Sequence, residues 1–201
     1  MDKAGDGRSK ASLGHEEHNH ATRSAPIKGR GAVSNPQNRF AHYTVEEFYD
    51  GWSEEADTVG PATKLIRETS RNIVSTNKSP DVPFDKSINP YRGCEHGCIY
   101  CYARPTHAYW DMSPGLDFES KIIIKPNAPQ LLRDTLTKPG YRPSVICIGA
   151  NTDPYQPTEA KEQSTRRIVE VLQEFRYPFT IITRSGLIRR DLDILVGNGS
   201  A

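Results

Sequence analysis

Ile122-Ile123-Ile124-Lys125-Pro126-Asn127-Ala128-Pro129-Gln130-Leu131-Leu132-Arg133-Asp134-Thr135-Leu136 changes periodicity halfway along. The β-branched run 122–124 predicts a strand buried on both faces. Asn127 then reads as an N-cap with Pro129 in the first turn, and Leu131, Leu132 and Leu136 form a helical stripe. Pro139-Gly140 ends it. The same alternation recurs downstream. Val145–Ile148 is a second strand, and Gly149 opens its exit loop. Residues 160–175 are the clearest helix, with Ile168, Val171, Leu172 and Phe175 at i, i+3, i+4 and i+7. Phe179–Ile182 is a third strand, and Leu187–Val196 repeats a helical spacing through Leu187, Ile188, Leu192 and Leu195. Strands alternating with helices imply an α/β fold with right-handed crossovers and a parallel sheet. Ligands in such sheets sit at the carboxyl ends of the strands. The loops that matter are therefore 90–110, 149–159 and 183–186.

The apolar residues place the core. Leu, Ile, Val and Phe number 11 in residues 1–80 and 29 in residues 81–201. Only the second stretch is rich enough for a core of its own. Residues 1–39 hold seven basic and four acidic residues and only three of those apolar types, so they read as a disordered basic tail. His15, His18 and His20 in that tail read as solvated rather than metal-binding. The basic residues Lys28, Arg30 and Arg39 are best read as a solubilising arm, with phosphate contact the rival use. Residues 40–86, with anchors at Phe48, Trp52, Leu65, Ile66, Ile73 and Val74, read as a segment wrapped against the core formed by 87–201. With 26 Lys+Arg against 25 Asp+Glu, the net charge is +1, which excludes a whole-protein field for nucleic acid or membrane. No apolar run reaches the roughly 18 residues of a membrane span. The N-terminus has no apolar signal region, and the expected location is cytoplasmic.

The first of the three loops reads Asn89-Pro-Tyr-Arg-Gly-Cys94-Glu-His-Gly-Cys98-Ile-Tyr-Cys101-Tyr-Ala-Arg104. Three of the chain's four cysteines fall here, spaced C-x3-C-x2-C. A disulfide framework is foreign to the cytosol, so clustered thiols suggest a soft metal or redox chemistry. Structural zinc normally takes four ligands, and His96 has little chain with which to fold back onto the same ion. Three thiolates suit a [4Fe–4S] cluster, one per iron, with the fourth iron open. Zinc and simple packing stand as the rivals. Cys147, within the apolar run 145–148, reads as an inert core thiol.

C-x3-C-x2-C with Tyr100 just before the last cysteine resembles the signature of radical S-adenosylmethionine (SAM) enzymes. The wider string INPYRGCEHGCIYCYARPTHAY resembles the branch related to spore photoproduct lyase, and within it bacterial proteins labelled DNA-repair-photolyase-like. The resemblance extends over most of residues 29–196, including GRGA, DGW, SPDVPFDKS, SPGLDFESK, NTDPYQP and RDLDIL. It implies a partial, incomplete radical SAM (β/α) barrel of parallel strands behind the tail. It also implies that Cys94, Cys98 and Cys101 bind the cluster and that the open iron chelates SAM. An electron from a reductase, flavodoxin or ferredoxin-type donor then cleaves SAM to a 5′-deoxyadenosyl radical, which abstracts hydrogen from substrate. Tyr100 would lie near the adenine. The family's Gly-Gly-Glu-like motif is missing after Val145–Ile148, which leaves Asp153 or Glu159 for the SAM amino group. Thr183-Arg184-Ser185, after the third strand, offers further candidate contacts, Ser185 among them, with a plain turn as the rival reading. Arg104, His107, Tyr109 and Trp110 either line a substrate cavity or cover the sheet end. Fewer strands are legible than the eight of a full barrel, so the chain reads as shortened at its C-terminus. The rival functions are a non-catalytic iron–sulfur or zinc-binding module and a DNA-associated protein.

Overall fold

The computed structural model describes residues 27, 29–41 and 62–196. The expectations placed on His15, His18, His20, Lys28, Phe48 and Trp52 lie outside the described residues. Among those described, the order is β1 (Lys64–Arg67), β2 (Val74–Thr76), β3 (Lys86–Ile88), β4 (Tyr91–Arg92), a 3-10 helix (Arg104–Trp110) and α1 (Leu116–Ser120). There follow β5 (Lys121–Ile124), α2 (Ala128–Leu136), β6 (Ile146–Ile148), α3 (Glu159–Glu162) and α4 (Ser164–Glu174). β7 (Phe179–Ile181), a second 3-10 helix (Gly186–Asp191) and α5 (Leu192–Leu195) complete it.

The strands form two sheets, ordered β2-β3-β6-β7 and β1-β5-β4. β3, β6 and β7 are parallel, with Ser87 beside Cys147 and Cys147 beside Thr180. β1 is parallel to β5. The molecule is thus a mixed α/β fold with parallel strands, as the alternation predicts. Two pairings depart from the all-parallel expectation: β2 runs antiparallel to β3, and β4 antiparallel to β5. The short link from β2 to β3 is the physical reason for the first, because a parallel return needs a crossover of a dozen or more residues. The described strands do not close into a barrel.

The core lies where the apolar count placed it. Ile146, Cys147 and Ile148 of β6 are fully buried, with Ile88 beside them. α2 contributes Leu132, and α4 contributes Ile168, Val169, Val171 and Leu172, to the same cluster. Each such side chain, fully buried, contributes about 1.5–3 kcal/mol. Phe175, the last residue of the predicted stripe, sits at the C-cap and is partly exposed. The predicted helix 160–175 is two helices, broken at Gln163, whose φ is +50°. Asn127 does not cap α2 with its side chain. Its amide instead clasps Ser70, accepting from the Ser70 N–H at 3.2 Å and donating to its carbonyl at 2.8 Å. This pins the lead-in to the second half.

Beneath α4 lies a buried ionic network. Glu159, fully buried, accepts from the Tyr91 hydroxyl, from the N–H groups of Thr165 (2.9 Å) and Arg166 (3.2 Å), and from Arg190 Nη2 (2.9 Å). Arg190 and Arg166 also hold Asp191, itself fully buried. Among the described residues no helix is long and apolar enough to cross a membrane.

Candidate functional site

Strand pairing brings three exits to one edge. Gly149 N–H donates to the Ile88 carbonyl (3.0 Å), and Ile182 N–H to the Ile148 carbonyl (2.9 Å). Asn89, just past β3, then receives the N–H groups of Asn151 (2.8 Å) and Thr152 (3.4 Å) on Oδ1. The loops 89–104, 149–158 and 182–185 therefore meet at the carboxyl ends of parallel strands, where open α/β sheets bind ligands.

The cysteine loop is held from both sides. Toward the second exit, Gln156, fully buried, accepts from Glu95 N–H (2.9 Å) and donates to the Gly93 carbonyl (3.2 Å). Glu95 in turn accepts from Thr158 N–H (2.6 Å) and from Thr63 Oγ1 (2.7 Å). On the other side Arg104 donates to the Cys98 carbonyl through Nε (3.1 Å) and Nη2 (2.9 Å), and pairs with the buried carboxylate of Glu119. Glu119 also accepts from the N–H groups of Gly31 (2.9 Å) and Ala32 (3.0 Å). Residues 29–39, which composition assigns to the disordered tail, are hence in part a strap over the cysteine loop. Main-chain N–H donors fasten it, and these are invisible to a count of apolar side chains.

The strap fits because it carries no side chain where it crosses. A Cβ on Gly31 would stand 1.9 Å from the Gly97 carbonyl oxygen. Gly97 itself has φ +60°, and its missing Cβ leaves room for Gly31 N and Glu119. Gly31→Ala should therefore displace the strap, at about 1–3 kcal/mol as for other overpacked sites. The expected result is a melting temperature lower by several degrees, at about 2–4 °C per kcal/mol for a chain of this size. An unchanged melt would show that the strap does not press on the loop.

All four cysteines are free thiols; Cys94 and Cys147 are buried, and Cys98 and Cys101 are half-buried. Cys147 lies in the middle of β6 and is not part of the loop that carries the other three. Burial pushes the Cys94 thiol up to about 11, so ligation there must release a proton. Arg184 Nη1 lies 2.8 Å from Cys98 Sγ. The donor set fits an iron–sulfur cluster: three soft thiols on one loop, with glycines at positive φ at 93 and 97 letting the backbone curl around them. Among the described residues no three His, Cys, Asp or Glu side chains gather as a ready site for a single ion.

The other predicted contacts divide. Asp153 reaches the cysteine loop, its Oδ2 lying 3.3 Å from His96 Nε2. It also accepts from Thr183 Oγ1 (2.7 Å), Arg184 N–H (2.9 Å) and Tyr155 N–H (2.8 Å). Burial pushes its carboxyl up, but these donors outweigh that and hold it below the usual carboxylate range. Tyr100 is 82% exposed, so its ring is free to meet a ligand. Glu159 is not available to a cofactor, because the core network occupies its carboxylate. Ser185 is engaged as a cap, its Oγ accepting from Leu187 N–H at 3.2 Å. His107 is buried against Phe118 rather than lining a cleft. Tyr109 is exposed and stacks on Phe40, while Trp110 lies under Arg92. The sequence does not single out Glu95, Gln156 or Glu119 as site residues; it does point to Arg184, within the turn Thr183-Arg184-Ser185, but not to Cys98 as its partner. A glutamate between two clustered cysteines was the available signal for Glu95.

Comparison with known proteins yields relatives without a stated function. The chain is 41% identical over 122 residues to an uncharacterised protein of Mycobacterium tuberculosis, a match spanning 59% of this chain and 36% of that protein. An uncharacterised protein of Mycobacterium bovis matches to the same extent. An uncharacterised protein of Methanocaldococcus jannaschii is 28% identical over 131 residues, 65% of this chain and 46% of its own length. The chain thus spans less than half the length of these relatives. No family model matches it. No solved structure matches it.

Proposed function

We propose that this chain is a radical SAM protein of the spore-photoproduct-lyase-like branch, built as an incomplete (β/α) barrel and working in the cytoplasm. The observation that supports the reading is that the loop carrying Cys94, Cys98 and Cys101 is tied to the exits of β6 and β7, through Gln156, through Asp153 beside His96 and through Arg184 on Cys98. Those three thiols would hold a [4Fe–4S] cluster, leaving one iron open to SAM. Bound there, the cluster would supply the electron for reductive cleavage of SAM and so the means of abstracting hydrogen from a substrate. The chain's own residues bind, orient and shield. Glu95, Gln156, Arg104 and Glu119 fix the loop. Asp153, whose oxygens already hold the second and third exits and the cysteine loop together, would fix the walls around SAM and present its remaining charge to the SAM ammonium, while Tyr100 would offer its exposed ring to the adenine. The electron comes from a reductase, flavodoxin or ferredoxin-type donor.

The test uses anaerobically reconstituted protein reduced with dithionite and supplied with SAM. The expected result is release of 5′-deoxyadenosine and a changed spectrum of the reduced cluster on adding SAM. The spectral change should weaken in Asp153→Asn with iron retained. A cluster whose spectrum ignores saturating SAM would assign the chain instead to a non-catalytic iron–sulfur module.

A further inference from the structure

The guanidinium of Arg184 meets Cys98 Sγ at 2.8 Å across 86 residues of sequence. Its root is fixed, because Asp153 Oδ2 accepts the Arg184 N–H at 2.9 Å. The same oxygen lies 3.3 Å from His96 Nε2, on the segment between Cys94 and Cys98. Thr183 Oγ1 donates to the other oxygen of Asp153 at 2.7 Å, and Ser185 N–H to Thr183 Oγ1 at 3.0 Å. One half-buried carboxylate therefore links the third strand exit to the loop that carries Cys98. Arg184 reaches a ligand sulfur from that anchor.

A charged N–H donor on a thiolate sulfur stabilises negative charge there, and hydrogen bonds to the sulfurs are among the terms that set an iron–sulfur potential. Reduction by one electron adds a negative charge to the cluster and its ligands. We propose that Arg184 is a positioning residue that donates to the Cys98 sulfur and raises the reduction potential of the bound cluster. It thereby brings the cluster within reach of an external one-electron donor. The inference rests on the cluster reading above and concerns a residue that need not touch SAM or substrate.

The experiment is an anaerobic redox titration of the reconstituted full chain, without SAM, read by the electron paramagnetic resonance signal of the reduced cluster. Arg184 is exposed, so its replacement opens no cavity. Arg184→Leu should keep its iron and sulfide and shift the midpoint to more negative potential by a tenfold change in the reduction equilibrium or more, which is 59 mV for one electron. Arg184→Lys, which keeps the charge and a donor, should recover part of that shift. An unchanged midpoint in Arg184→Leu at full iron content overturns the proposal. So does a shift that appears only after SAM is added, since the guanidinium would then be answering SAM. A wild-type chain that assembles no cluster removes the underlying reading itself, an outcome visible before any variant is titrated.

Discussion

Cys94→Ala, Cys98→Ala and Cys101→Ala should each abolish the iron–sulfur absorption of the reconstituted protein, whereas Cys147→Ala should retain it. The loss is expected to be near complete, because a cluster carried by three thiolates has no spare protein ligand. Cys147 lies inside β6 between Ile146 and Ile148, so its truncation removes one small buried group. It should cost about 1 kcal/mol, in the ordinary range for a point substitution, and no iron. Iron and sulfide analysis beside a thermal melt separates the two effects. Full iron in Cys98→Ala, or a folded Cys147→Ala without iron, would contradict the assignment.

Glu159→Ala should be the most damaging substitution outside the cysteine loop. Removing the carboxylate strands the Tyr91 hydroxyl, two backbone N–H groups and part of Arg190 in the interior. Breaking a buried ion pair from one side costs about 3–5 kcal/mol, a large share of the roughly 5–15 kcal/mol that holds a domain together. Most of the variant should be recovered unfolded or insoluble, and any soluble fraction should melt without cooperativity. A pH dependence follows from the same network. Burial alone pushes the Asp191 carboxyl up, but hydrogen bonds from Arg190 and Arg166 outweigh it and hold the group below the usual carboxylate range. Its folded pKa is thus below its unfolded value of about 3.9. The stabilisation is complete above that value and is lost as pH falls through the folded pKa. Asp191→Asn should lower the urea midpoint at pH 7 and flatten its fall in acid. An equal acid slope in both proteins would place the acid sensitivity elsewhere.

The legible parts of this molecule are those written in side-chain periodicity. The runs at 122–124, 145–148 and 179–182 became β5, β6 and β7, and the three predicted exit loops do converge. Two strands of the lead-in, β1 and β2, carry mostly exposed or half-exposed residues, and β4 is two residues long. No alternation marks them, because their place is set by backbone pairing with β5 and β3. The strap within 29–39 is not legible for a related reason: it is held by N–H groups on a buried glutamate, and composition records neither. Glu159 misled because a carboxylate in a strand-exit loop reads the same whether it faces a ligand or Arg190. The cysteine spacing was legible in full, while Arg184 beside Cys98 is a contact that only the fold creates.

Metal and sulfide content of the wild-type chain, reconstituted anaerobically and desalted, tests the central claim most directly. The account predicts about four irons and four sulfides per chain, from one thiolate on each of three irons and a fourth left open. Stoichiometric zinc without sulfide, or no metal in a folded protein, would contradict it.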